Sequence, residues 1–316
     1  NVKERKREDY KMKKPEIVVI GTIIKETIKF PNRTIGPVIG SPAAYASLVM
    51  AAQGRRVGIV TYYGKDMENI ISELDVLDHS GILDNSATTT NLLVYREDGS
   101  KYVEYQYVAP DIHFENICKE YLEVENFKIC PMNYEVDIDV VKQLYKMGKT
   151  VFVDLGGYGG ATSDIHYTVD KKIGKQIISD LCKNTTIIKA SEEDLQLIMP
   201  GKTPEEAVEY MVAEGAQNIV VTLGSKGVLY REKGQKNKYE DPFTAVSEIE
   251  DGSLDFTGAG DSFGAGFMAS YIVHRSIPEA ALNGNATASL VIQRTGGCTY
   301  DRMPSSEKVQ RRRDQR

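Results

Sequence analysis

Residues 17–24 read IVVIGTII, an apolar run without polar alternation, interrupted only by Gly21 and Thr22. Such a run suits a strand buried on both faces of a parallel sheet, and a glycine at its end lets the chain turn closely past a ligand. Residues 42–53 carry Ala, Leu, Val and Met at helical spacing before Gly54, and RVGIVT at 56–61 predicts the next strand. This is a βαβ rhythm. LLVYRE at 92–97 and KYVEYQYV at 101–108 break it, alternating apolar and polar residues around Asp98-Gly99-Ser100. They predict an antiparallel hairpin with one wet face. Its tyrosines (Tyr95, Tyr102, Tyr105, Tyr107) suit a lid or an oligomerisation platform, and a solvated hairpin that binds nothing is the plainer alternative. The rhythm resumes with strands at 151–154, 186–189 and 218–224. A helix at 204–215 has Thr203 as its cap and Glu205 and Glu206 in its first turn.

This order predicts an α/β fold, doubly wound, with a mostly parallel sheet, helices on both faces and a small β lid. No repeat and no Pro/Ser-rich linker divides the 316 residues. One domain over 15–304 is expected, with lid segments about 24–40 and 88–110, a basic flexible tail at 1–14 and a polar tail at 305–316. The basic runs at 3–7 and 311–313 read as solvated ends, because they lack apolar spacing.

A net charge of -6 argues against nucleic acid as a partner, and no stretch approaches the ~20 apolar residues of a membrane span. Cys118, Cys130, Cys182 and Cys298 show no metal-like spacing, and the four histidines form no zinc pattern. Reduced thiols in a cytoplasmic protein are the expectation.

The chemistry concentrates at 255–261, Asp-Phe-Thr-Gly-Ala-Gly-Asp, followed by small and apolar residues able to run on as a packed helix. Backbone N–H groups of Gly258, Ala259 and Gly260, with a helix N-terminus behind them, form a place for an anion. A carboxylate beside an anion site is repulsive unless it acts on something arriving there, so Asp261 fits a group that orients a substrate hydroxyl and accepts its proton. Close helix packing is the competing account of the glycines. No GxxxxGK[ST] loop occurs, and Gly224-Ser225-Lys226-Gly227 is too short to be one.

From about residue 17 to 299 the chain resembles the PfkB (ribokinase-like) family of carbohydrate and nucleoside kinases, most specifically in DFTGAGDSFGAGF. The resemblance implies that Gly258, Ala259 and Gly260 form the anion hole, that Asp261 is the catalytic base, and that Asp255 lies near a monovalent-cation site such as one for K+. It places Thr222, Gly224, Gly227, Thr257, Asn285 and Lys189 at the nucleotide. Ser191 and Asp194 stand where the family's N-x-x-E sequence organises Mg2+. On the acceptor side it implies Glu26, Gly40, Ser41, Tyr45 and Asp154, with Glu26, Ser41 and Tyr45 replacing the family's Asp, Gly and Asn. No Arg follows Asp154, which disfavours a phosphorylated acceptor.

The expectation is therefore ATP- and Mg2+-dependent phosphorylation of a hydroxyl on a small neutral sugar, cyclitol or related polyol. A nucleoside kinase with Tyr45 or a lid tyrosine on the base, and a noncatalytic metabolite-binding relative, are the alternatives. A homodimer through the lid is the expected assembly. The loop after Asp154, with Tyr158 among glycines, reads as a mobile surface loop or as a substrate contact.

Overall fold

A computed structural model describes residues 14–67, 71–98, 100–163, 170–249 and 252–316. The basic run at 3–7, Gly99 of the hairpin turn and His166 lie outside them. In chain order the elements are β1 (Ile17–Ile20), β2 (Ile24–Lys29), β3 (Thr34–Gly40), α1 (Pro42–Ala52), β4 (Val57–Tyr63), β5 (Asp78–Asp84), β6 (Thr89–Tyr95) and β7 (Lys101–Tyr107). They continue with α2 (Lys119–Leu122), β8 (Asn126–Ile129), α3 (Ile138–Lys146), β9 (Thr150–Asp154), α4 (Lys171–Lys183), β10 (Ile187–Ser191), α5 (Glu192–Ile198) and α6 (Pro204–Ala213). Last come β11 (Ile219–Thr222), β12 (Val228–Arg231), β13 (Lys238–Glu240), α7 (Ala259–His274), α8 (Ile277–Val291) and α9 (Ser306–Arg313).

Nine strands form the main sheet in the order β13-β12-β11-β10-β9-β8-β1-β4-β5. From β11 to β5 every pairing is parallel, and β12 and β13 add an antiparallel edge. Strand β1 shows why the apolar run lacked alternation. Ile17 and Val19 pack with α1, α7 and α8, while Val18 and Ile20 pack with α3, α4 and α6 on the other face. Helix α7 is buried along most of its length. Its Gly266 lets α8 approach, since a Cβ there would stand 2.3 Å from Thr287 Oγ1.

The second sheet has four strands, β3-β2-β6-β7. Strands β6 and β7 form the antiparallel hairpin that the alternation predicts, and β2 pairs with β6 in parallel. Its own apolar cluster, around Ile28, Leu93 and Val103, is small.

Two expectations are corrected. Residues 306–313 are not a frayed tail but α9, capped by Ser305, with Val309 buried, Arg313 paired to Glu279 and Arg312 Nε donating to Ser289. Capping and one buried valine outweigh the run of like charges. Tyr158 is neither a mobile-loop residue nor a substrate contact: it is buried, its hydroxyl donates to Val136 O at 2.8 Å, and its ring meets Tyr134 edge-on. The four cysteines are free thiols.

Candidate active site

The first turn of α7 begins on a backbone that favours glycine. Gly258, its N-cap, has φ +76°, and a Cβ there would lie 2.4 Å from the Tyr45 ring. An α-helix leaves its first amides without intrahelical acceptors. Ala259 N–H is used otherwise, donating back to Phe256 O at 3.1 Å, so an anion at this turn would be left the amides of Gly258, Gly260 and Asp261. Of the three residues expected to form an anion hole, Ala259 is the one the geometry withdraws. A Cβ on Gly260 would come within 3.3 Å of Lys189 Nζ, which sets an ammonium group beside this turn.

Asp261, half-buried in that first turn, is pushed up to about 6 by burial, then by the neighbouring Asp154 carboxylate, against the pull of Lys189, Lys128 and Lys101. Strand ends bring these charges together: Asp154 closes β9, Lys189 lies in β10, Lys128 in β8. Lys189 is buried and spans Asp154, at 3.3 Å from Oδ1 and 3.1 Å from Oδ2. Burial opposes its charge, but Asp154, then Asp194 and Asp261, hold its pKa above the ordinary lysine value. Lys128 Nζ is buried without a hydrogen bond among the described residues and stands 4.2 Å from the centre of the Phe152 ring.

On the second sheet, Glu26 and Asn91 face each other in register across β2 and β6. Asn91 Nδ2 donates to Glu26 Oε1 at 3.2 Å, while the buried Asn91 Oδ1 accepts nothing among the described residues. Burial pushes the Glu26 carboxyl up to about 7, with the Asn91 hydrogen bond opposing and Asp261 adding. Gly40 makes room for that carboxylate, since a Cβ there would meet Glu26 Oε2 at 2.6 Å. Three further contacts join this sheet to the main body: Tyr95 and Thr257 hydroxyls at 3.1 Å, Lys101 and Glu193 at 3.5 Å, and Tyr105 donating to Thr162 O.

Two expected acceptor contacts are taken up by structure. Ser41 sits at φ +104° as the N-cap of α1 and accepts from Ala44 N–H. Tyr45 is buried beneath Gly258, its hydroxyl accepting from Arg302 at 2.9 Å, so it cannot stack on a substrate base. Asp255 accepts from the amides of Thr257 and Gly296 and faces the Arg302 guanidinium at 3.7 Å.

Among the residues expected at the nucleotide, Gly224 (φ +59°) opens onto free space at the end of β11, beside the half-buried Thr222. Gly227 is a packing glycine, because a Cβ would stand 2.1 Å from Glu240 O. Asn285 donates to Asp241 O at 3.0 Å and holds the chain after β13. Ser191 and Asp194 form the capping box of α5, and Asp194 Oδ1 also accepts from Ala161 N–H. No cluster of three His, Cys, Asp or Glu able to hold a metal occurs among the described residues.

The profile of the pfkB family carbohydrate kinase matches residues 135–304. The chain belongs to this family. It is a phosphotransferase with an alcohol group as acceptor. A cytidine kinase of Thermococcus kodakarensis is 28% identical over 285 residues, 89% of this pfkB family chain and 97% of the relative. Among solved structures, the Arabidopsis thaliana ribokinase complexed with ribose and ATP superposes with a TM-score of 0.73 at 20% identity, over 95% of this chain and 99% of that one. The nucleoside kinase of Methanocaldococcus jannaschii gives 0.71 at 20% identity, over 96% and 99%. These two likenesses establish the ribokinase-like fold. The profile covers Asp154, Lys189 and Asp261, but not Glu26, Asn91 or the small sheet.

Sequence reasoning missed Asn91, Lys101, Lys128 and Arg302. A lysine inside the otherwise apolar run at 127–130 was the available signal for Lys128. Nothing local marks the others, whose meaning comes from strand pairing and long-range contact.

Proposed function

We propose that this kinase transfers the terminal phosphoryl group of ATP to a hydroxyl of a nucleoside, with Asp261 as the base. The observation that carries the reading is Asp261 in the first turn of α7, beside the glycine cradle and Lys189, with a pKa held near 6. A carboxylate of that pKa is ionised at neutral pH and a better proton acceptor than an ordinary aspartate. The acceptor oxygen forms a bond to the γ-phosphorus as the bond to the β,γ-bridging oxygen breaks. The hydroxyl proton passes to Asp261, and ADP leaves. Gly258, Gly260 and Lys189 offer donors to the transferring group, and Thr222 and Gly224 line the nucleotide end. Magnesium, carried on the phosphates, would neutralise charge there.

The nucleoside is preferred over a free sugar because the relative aligned over nearly its whole length is named a cytidine kinase. The Glu26–Asn91 pair supports a ligand with polar edges, since the buried Asn91 Oδ1 needs a donor. A neutral sugar, cyclitol or polyol is the second reading, favoured by the reach of Glu26, which can accept from two hydroxyls. ADP release over a panel of nucleosides, sugars and polyols decides between them. Turnover confined to sugars or polyols overturns the nucleoside assignment. Asp261→Asn is expected to retain ATP binding by calorimetry and to lose about 10²- to 10⁴-fold in kcat on the best substrate. A variant with wild-type turnover would remove Asp261 from the role of base.

A further inference from the structure

The Arg302 guanidinium, 3% exposed, is enclosed by carbonyl oxygens of the loop before α7, of the end of α8 and of the loop after it. Its Nε donates to Arg294 O at 3.1 Å. Nη1 donates to Gly296 O and Gly297 O and to the Tyr45 hydroxyl, and Nη2 to Thr257 O and Val291 O at 3.4 and 3.3 Å. The Asp255 carboxylate completes the shell at 3.7 Å and bridges the same loops through the amides of Thr257 and Gly296. Five main-chain carbonyls and one carboxylate converging on a dry centre are the ligands by which proteins replace the hydration shell of a monovalent cation. Here the positive charge at their focus is covalently part of the chain.

We propose that Arg302 is a built-in monovalent cation: it positions the anion cradle and makes the kinase independent of K+. The lever is the peptide between Thr257 and Gly258. In a trans peptide the C=O and N–H point opposite ways, so a guanidinium holding Thr257 O aims the Gly258 N–H away from itself. The same guanidinium fixes the Tyr45 hydroxyl, whose ring lies under Gly258. Arg302 touches no reacting atom and is a positioning residue.

The test begins with a readout that does not need the kinase reading. Thermal melts of the wild type in KCl, NaCl and choline chloride at equal ionic strength are expected to coincide. A rise of several degrees specific to K+ would show a cation site and overturn the proposal. The second arm rests on the kinase reading and uses the best acceptor from the substrate panel: kcat in KCl and in choline chloride should agree within about twofold, and a tenfold or greater activation by K+ overturns it. In the third arm Arg302→Gly, in choline chloride, should lose at least about tenfold in kcat and regain part of it on adding guanidinium or K+. Unchanged kcat in that variant, or a loss that neither cation relieves in a protein of native circular dichroism, removes the positioning role. If Arg302→Gly does not fold, the two wild-type arms still decide.

Discussion

At the scale of single residues, the site is defined by carboxyl groups whose surroundings oppose their charge. Glu26 is the clearest case, because it is almost wholly buried and its main partner is a neutral amide. Its proton is held up to about 7 in the fold, against 4.5 in a free chain. Between those values the folded protein binds more protons than the unfolded one, so stability falls as pH rises from 4.5 through about 7 and stays lower above. Glu26→Gln removes that loss. The variant should be more stable than wild type at pH 8 by about 3 kcal/mol, at roughly 1.36 kcal/mol per pKa unit, and equal to it below pH 4.5. Paired denaturant titrations at the two pH values measure this, and a gap that is the same at both would disprove the buried-charge account. The identities of Glu26 and Asp261 were legible in the chain, one by counting from Gly21, the other by its glycines. Their environments were not, because Asn91, Asp154 and Lys128 arrive from distant strands.

At the scale of elements, the loop entering α7 sets a backbone requirement at the proposed anion site. Gly258 and Gly224 both have positive φ, yet a side chain at Gly258 meets the Tyr45 ring, whereas the space beside Gly224 is open. Gly258→Ala should therefore cost the backbone strain plus overpacking, about 2–4 kcal/mol, and Gly224→Ala the strain alone, about 1 kcal/mol. Urea unfolding of both variants checks the difference, and equal losses would mean that the Tyr45 contact yields freely. The helix itself was readable from its small and apolar residues, β1 and β4 from their continuous apolar runs, and the hairpin β6–β7 from its alternation. Helix α9 was not, since its polar composition hides one buried valine and a serine cap. The lid segments 24–40 and 88–110 were expected from the family resemblance rather than from any local period, since β2 meets β6 across more than 60 residues of chain.

At the scale of the whole molecule, the small sheet and the main body share one electrostatic site, which supports reading the small sheet as a lid. Lys101, on β7, pairs with Glu193 at the start of α5 and also lowers the pKa of Asp261 on α7. The Lys101–Glu193 pair is half-exposed and contributes at most about 1 kcal/mol to holding the sheet down. Its larger consequence is that an ammonium group from the sheet acts on Asp261, the proposed base. Lys101→Met removes that charge, so Asp261 should protonate at a higher pH and the acidic limb of kcat/KM, expected near pH 6 in the wild type, should move upward by about half a pH unit. Glu193→Gln breaks the same bridge but keeps the ammonium. It should leave the limb in place and raise KM for the acceptor by roughly two- to threefold with kcat unchanged, since only closure is weakened. Rate profiles from pH 5 to 8 for the three proteins separate these effects. If both variants gave the wild-type limb, the sheet would have no part in tuning the base, and the contacts between sheet and body would be packing alone.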